Sequence, residues 1–182
     1  MGDLKTNATG ATLTMGQAMT GRMVIHDFQM PANGALGLAW KASSSLELLA
    51  DVKRIAWANA MKDFRMTFES APGNVSFTLP QNWKDQTVLA LGGAYKLNPA
   101  WMLRAGYSHA SNPVPDATVH PLFPAIVKDH YTAGFGYQIG KNMTLDAALS
   151  HAPKVTVNAG MLGGAPITHS QTNYQMLLGI RY

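Results

Sequence analysis

The sequence predicts an all-β protein: an antiparallel transmembrane β-barrel, of which about seven meandering strands are present. Three observations carry that expectation. Charged residues make up only 13% of the 182-residue chain against 47% apolar, where soluble domains carry about 25% charge. Six segments of 8–11 residues alternate apolar with small or polar side chains. That length is near the ~9–11 residues that cross a bilayer at a tilt, and longer than the ~5–6 of an ordinary strand. Tight turns also alternate with long connections along the chain, as they do in outer-membrane barrels.

The mean hydropathy is −0.04, and no run of 18 apolar residues offers a spanning helix. A barrel strand needs only one greasy face, so neither fact opposes a membrane protein. Composition alone fits a soluble all-β domain equally well. The alternation is what separates the two.

Taken in order, Gly34–Lys41 sets Leu36, Leu38 and Trp40 against Ala35, Gly37, Ala39 and Lys41. Thr87–Leu97 sets Leu89, Leu91, Tyr95 and Leu97 against Val88, Ala90, Gly92, Ala94 and Lys96. Trp101–His109 sets Trp101, Leu103, Ala105 and Tyr107 against Met102, Arg104, Gly106 and Ser108. Tyr131–Ile139 sets Tyr131, Phe135, Tyr137 and Ile139 against Thr132, Gly134, Gly136 and Gln138. Met143–His151 sets Met143, Leu145, Ala147 and Leu149 against Thr144, Asp146, Ala148 and Ser150. Thr172–Tyr182 sets Tyr174, Met176, Leu178, Ile180 and Tyr182 against Asn173, Gln175, Gly179 and Arg181; only Leu177 breaks its pattern. Aromatics gather at the ends of the apolar faces, where amphipathic rings suit the headgroup level. The opposite faces lack the lysine and glutamate of a solvated sandwich face, which favours the barrel.

Leu46–Met66 is the ambiguous stretch. Ser44-Ser-Leu-Glu47 reads as a capping box, and apolar residues from Leu46 to Phe64 recur at helical spacing. A strand is expected here, because its neighbours need one for the topology to close. It would place Leu46, Leu48, Ala50 and Val52 on one face, with a phase slip at Lys53–Arg54. Ala42–Ser45, Asn98–Ala100 and Gly140–Asn142 read as tight turns, and Ala58–Gln86, Ala110–Asp129 and Ala152–Gln171 as long loops outside the cell.

Other function classes find little support. The chain has no cysteine, which excludes disulfides and thiolate chemistry. The net charge of +4 is scattered, with no basic cluster interleaved with aromatics, so no nucleic-acid partner is expected. No nucleophile elbow, phosphate loop or metal-ligand spacing occurs, and no cofactor is expected. Ser108 adjoins His109 and Ser150 adjoins His151, but neighbours in a strand face opposite ways. The first ten residues lack the basic, apolar and cleavage regions of a secretory signal, which an exported barrel needs. Either the chain is not exported or its true beginning lies elsewhere.

Leu79-Pro-Gln-Asn-Trp-Lys-Asp-Gln, then Val88-Leu-Ala-Leu-Gly-Gly-Ala-Tyr, Trp101-Met-Leu-Arg-Ala-Gly-Tyr and Asn112-Pro-Val-Pro-Asp, occur in an order and spacing that resemble the FadL and toluene-transporter family of outer-membrane transporters. The resemblance covers Gly34 to Tyr182. It also takes in Leu46–Phe68, with Trp57 as the tryptophan the family carries in that strand. It implies that the chain is the C-terminal half of a fourteen-stranded barrel plugged by an N-terminal hatch. Residues 1–33 would then be an extracellular loop or extended lead-in, and 34–182 the barrel strands. It implies passive outer-membrane transport of long-chain fatty acids, hydrocarbons or other hydrophobic compounds, without catalysis. The expected partners are those molecules, outer-membrane lipid and lipopolysaccharide, and the outer-membrane assembly machinery through the terminal Tyr182. Two other functions remain open: a small outer-membrane barrel enzyme such as an acyl hydrolase, and a soluble β-sandwich that binds a ligand.

Candidate ligand contacts follow from facing. Lys96, Arg104, Asp146 and Arg181 would face the lumen, to meet a carboxylate or the hatch; alternatively Arg104 and Asp146 simply pair there. The loop apolars Val114, Leu122, Phe123, Ile126, Met161 and Leu162 would either line a greasy entrance or pack the loops together. His109, His130 and His151 fall at outer strand ends. They read as plain interfacial residues, or as part of a rim site for a metal or lipopolysaccharide.

Overall fold

The computed structural model describes residues 2–12, 18–120, 123, 125–162 and 165–182. Its main feature is a seven-stranded antiparallel wall. In chain order the wall strands are β3 (Asn33–Lys41), β4 (Leu46–Ile55), β7 (Gln86–Lys96), β8 (Trp101–Ala110), β9 (Asp129–Ile139), β10 (Met143–Leu162) and β11 (Ala165–Arg181). They neighbour one another in that order, as a meander that does not close on itself. The wall is therefore a partial barrel. Its outermost strands, β3 and β11, each have one neighbour among the described residues.

The tight turns have local causes. Ser43 Oγ accepts from the N–H groups of Ser45 and Leu46 at 3.1 and 3.0 Å. Asn98 Oδ1 accepts from those of Ala100 and Trp101 at 2.9 and 3.0 Å. Both are side-chain turns that free the chain from its ladder. Gly140 supplies a left-handed φ of 62° in the third.

The ambiguous stretch divides. Leu46–Ile55 is a strand paired on both sides, with Leu36 opposite Val52 and Val52 opposite Leu89. The alternation runs through Lys53 and Arg54 without the expected slip. Two complete ladders outweigh the local helical preference of this sequence, since propensity is a weak prior beside tertiary pairing. Helix survives only as the single turn α1 (Trp57–Ala60).

Register fixes what each face carries, because paired residues point the same way. One face presents Leu36, Leu38 and Trp40; Leu48 and Val52; Leu89, Leu91 and Tyr95; Trp101, Leu103 and Tyr107; Tyr131 and Phe135; Leu145 and Leu149; Met176, Leu178 and Ile180. Leu36 is 78% exposed, Leu91 62% and Met176 66%. A continuous apolar face of this size has no place in water, and a bilayer is the solvent that suits it. The other face carries Gly, Ala, Ser and Thr, most of the wall's charged residues, and Leu49 and Leu177.

Two of the expected loops are more ordered than their composition suggests. Within residues 58–86 lie β5 (Asp63–Ser70) and β6 (Gly73–Pro80), a hairpin turned at Ala71-Pro72. It joins the hairpin of β1 (Gly2–Thr12) and β2 (Ala18–Phe28) in a second sheet of order β1-β2-β5-β6. Between residues 152 and 171, β10 and β11 simply continue their pairing, from Val155 opposite Gln171 up to Leu162 opposite Ala165. The described residues of 110–129 are irregular, with a 3-10 turn at Asp116–Thr118.

The buried core lies at this end of the wall, not inside it. Met61, Trp83, Val114, Val119 and Ile126 form one cluster, with Trp57, Ala60, Phe123, Val155 and Val157 packed on it. These residues come from α1, the β6–β7 connection, the 110–129 loop and β10, so the cluster ties four segments into a cap.

Candidate functional site

The wall's small-residue face holds a cavity of about 640 Å³. Its floor is bare backbone at Gly92, Gly106, Gly134 and Gly179. Leu49 and Leu177 add apolar surface. Arg104 and Asp146 enter it from β8 and β10. Asp146 Oδ1 accepts from Arg104 Nη1 at 2.9 Å, and Oδ2 from Arg181 Nε at 3.0 Å. One carboxylate therefore serves two guanidiniums, and the group carries a net positive charge. Gly136 makes the geometry possible: a Cβ there would lie 2.9 Å from Asp146 Oδ1 and 3.3 Å from both Arg104 Nη atoms.

The charges continue along this face. Lys41, Lys53, Lys96, Arg104 and Arg181 share it with Glu47, Asp51 and Asp146, so it is positive overall. Lys96 is separate from the Arg104 group. It lines a smaller recess of about 320 Å³ near the short turns, with Lys41, Ser43, Glu47 and Met102. The face thus pairs apolar side chains with half-exposed guanidiniums. It can hold an apolar body while an anionic end meets cations.

The cap supplies the second group of candidates. Ile126 is fully buried in the cluster. Phe123 packs edge-on to Phe64, ring centres 4.8 Å apart. Leu122 lies outside the described residues, and for Met161 and Leu162 only the strand backbone is described. Val114 is buried with Ile126. These residues close the loops on one another, and Trp57 meets Trp83 edge-on at 5.0 Å beside them.

The motifs that stood out in sequence build this cap. In Pro80-Gln-Asn-Trp83, the N–H groups of Gln81 and Asn82 both donate to Lys62 O at 2.9 Å, and that of Trp83 to Met61 O at 3.0 Å. Asn82 takes a left-handed φ of 49°. The Gln81 side chain, 1% exposed, accepts from Trp83 Nε1 at 3.1 Å. In Asn112-Pro-Val-Pro-Asp116, Asn112 Oδ1 accepts from Val114 N–H at 3.1 Å. The two motifs then bond to each other: Lys84 N–H donates to Pro113 O at 2.7 Å, and Thr118 Oγ1 to Gln81 O at 2.6 Å.

At the outer strand ends, Asp129 Oδ1 accepts from Tyr107 Oη at 2.7 Å and pairs with His109 Nδ1 at 2.8 Å. His130 points to the opposite face, across from Ser108. His151 stacks on Tyr174 with ring centres 4.5 Å apart. Among the described residues no three metal-ligating side chains gather. Sequence reasoning missed Leu49 and Leu177 as cavity residues. Leu177 announced itself by breaking its strand's alternation; Leu49 gave no such signal, because the helical spacing of its segment masked it.

The family model for outer membrane protein transport proteins (OMPP1/FadL/TodX) matches residues 2–182. The toluene transporter TodX of Pseudomonas putida superposes with a TM-score of 0.74 at 33% identity, over 95% of this chain and 41% of that one. The Ralstonia pickettii toluene transporter TbuX gives 0.72 at 29% identity, over 99% of this chain and 40% of that one. A Neisseria meningitidis serogroup B protein described as an outer membrane protein is 33% identical over 75 residues, 41% of this chain and 16% of its own length. The chain therefore spans about two fifths of the solved relatives and a smaller share of the curated one.

Proposed function

The chain belongs to the outer membrane protein transport family that includes FadL and TodX, and from that membership we propose that it supplies wall and outer cap to a passive channel for hydrophobic compounds. The family places it in the bacterial outer membrane. The observation that carries the transport reading is the two-sidedness of the wall. Leu, Trp and Tyr side chains stand exposed on one face, and a glycine-floored cavity lined by Arg104 and Asp146 lies on the other.

In this reading the cap lies outside the cell, with residues 1–33 as part of it. A hydrophobic molecule leaves water for the apolar loops, at roughly 25 cal/mol per Å² of apolar surface buried. It then passes the cavity down its own gradient, and no cofactor or catalytic group takes part. The cap to which the half-buried Phe123 belongs serves the outer end, with Ile126 holding it together from within; Arg104, Asp146 and Lys96 meet polar ends of the cargo lower down. Fatty acids and monoaromatic hydrocarbons are both candidates: the relatives include toluene transporters, and the positive face suits a carboxylate. Lipopolysaccharide surrounds the outer leaflet, and Tyr182 serves as the aromatic end that the assembly machinery reads.

The test is uptake by cells that lack their own hydrophobic channel, with and without this protein. Labelled toluene and a labelled long-chain fatty acid are supplied separately. Faster initial entry of either one supports the proposal, and the one that gains identifies the cargo. No gain for both, in cells whose outer membrane contains the protein, overturns it.

A further inference from the structure

The apolar face carries a groove that the transport reading does not use. It has a volume of about 540 Å³ and spans three strands near the capped end of the wall. Ala133 forms its floor, opposite Leu149, which in turn lies opposite Met176. One step nearer the cap, Tyr131, His151 and Tyr174 line up across the same strands. His151 Nδ1 is buried and has no hydrogen-bond partner.

Directly beyond this aromatic row the strand character changes. The pairing of β10 with β11 shifts register between Ala152 and Val155, a bulge that re-aims side chains. Val155 and Val157 pack on the cap cluster, so Lys154 and Thr156 lie on the opposite face, in line with the groove. Lys154 is exposed. Past it two polar pairs follow: Thr156 bonds Ser170 at 3.2 Å, and Thr168 bonds Asn158 at 3.0 Å. Asp129, two residues before Tyr131 on the neighbouring strand, is already engaged by His109 and Tyr107. Apolar groove, aromatic row, free cation and polar strip thus follow one another along a single line. A phosphorylated amphiphile has the same order of parts. Three residues from His151 to Lys154 span roughly 10 Å, the scale of a headgroup above its first acyl carbons.

We propose that this groove seats one acyl chain of lipopolysaccharide, with a lipid A phosphate on Lys154. The inference rests on the outer-membrane placement above. It is independent of the cargo. Lipid A fits better than a phospholipid, because it occupies the outer leaflet and carries phosphate on a rigid, many-chained base that can fill a broad shallow groove.

The full chain is extracted from outer membranes in mild detergent, and its retained lipid is counted by native mass spectrometry and 3-hydroxy fatty acid content. Folding is followed by the gel mobility of unheated samples. The wild type is expected to keep one lipopolysaccharide per chain through washing with phosphatidylglycerol micelles. Lys154→Ala should lower retention about fivefold, the weight of one cation near a lipid surface. Ala133→Trp, which fills the groove from the lipid side, should abolish it while mobility is kept. Retention unchanged in both variants, or equal displacement by phosphatidylglycerol, overturns the proposal. Absence of the protein from the outer membrane would instead overturn the placement on which it rests.

Discussion

Replacing Ile126 by alanine tests whether the buried cluster holds the cap to the wall. Ile126 is 0% exposed and sits among Met61, Trp83, Val114 and Val119. Truncation removes three carbons from a packed site and leaves a cavity, at a cost of about 2–5 kcal/mol. The wall shares little of that cost, because its strands hold one another by ladders that do not involve Ile126. The loss therefore falls on local opening of the 110–129 loop. Even about 2 kcal/mol raises the open population roughly thirtyfold. Lys84 and Lys128 flank the cluster and provide tryptic sites that report the opening. The assay is limited trypsinolysis of intact protein in micelles, with unheated gel mobility as the check on the wall. Cleavage at these lysines should accelerate by at least an order of magnitude, and Ile126→Val, at about 0.5–1.5 kcal/mol, should give only a few-fold change. Unchanged cleavage with unchanged mobility would refute the claim that this cluster is the cap's anchor.

Four further outcomes are expected. Gly134→Ala would put a Cβ 2.6 Å from the backbone oxygen of Ala147 and should cost about 1–3 kcal/mol as overpacking, read as a lower urea midpoint in micelles. Asp146→Asn leaves two guanidiniums at the cavity without their counter-ion; carboxylate uptake should rise relative to toluene, and an unchanged ratio would show that the pair is only structural. Asn82→Val forces a β-branched residue into a left-handed φ and should destabilise the cap by about 1–2 kcal/mol, while Asn82→Gly should be nearly silent; proteolysis at Lys84 distinguishes them. Deleting Tyr182 should reduce the yield of assembled protein in the outer membrane without altering uptake per assembled molecule.

The wall was legible because each of its strands meets two different surroundings, and period-two alternation is the direct imprint of that. Strands such as Trp101–Ala110 and Asp129–Ile139 could be bounded within two residues of their observed ends. The second sheet was harder. Phe64, Met66 and Phe68 alternate, as do Val75, Phe77 and Leu79 around Pro72-Gly73, yet the segment read as a loop because it lies between two wall strands. β1 has one large apolar residue, Leu4, and β2 runs Met23, Val24 and Ile25 together, so neither alternates to show a face. In the cavity, Arg104 and Asp146 were placed together by facing alone. Arg181 completed the pair through a register that no single sequence displays.

Six successive antiparallel pairings separate β3 from β11, so both margins of the wall point the same way. A duplicate of the wall inserted with the same orientation could meet it only in parallel register at both seams. An antiparallel seal instead requires an odd-numbered set of strands whose two outermost members both climb toward the capped side. Strand polarity alone thus dictates the parity and direction of any strands that would complete the cylinder, before any side chain is consulted.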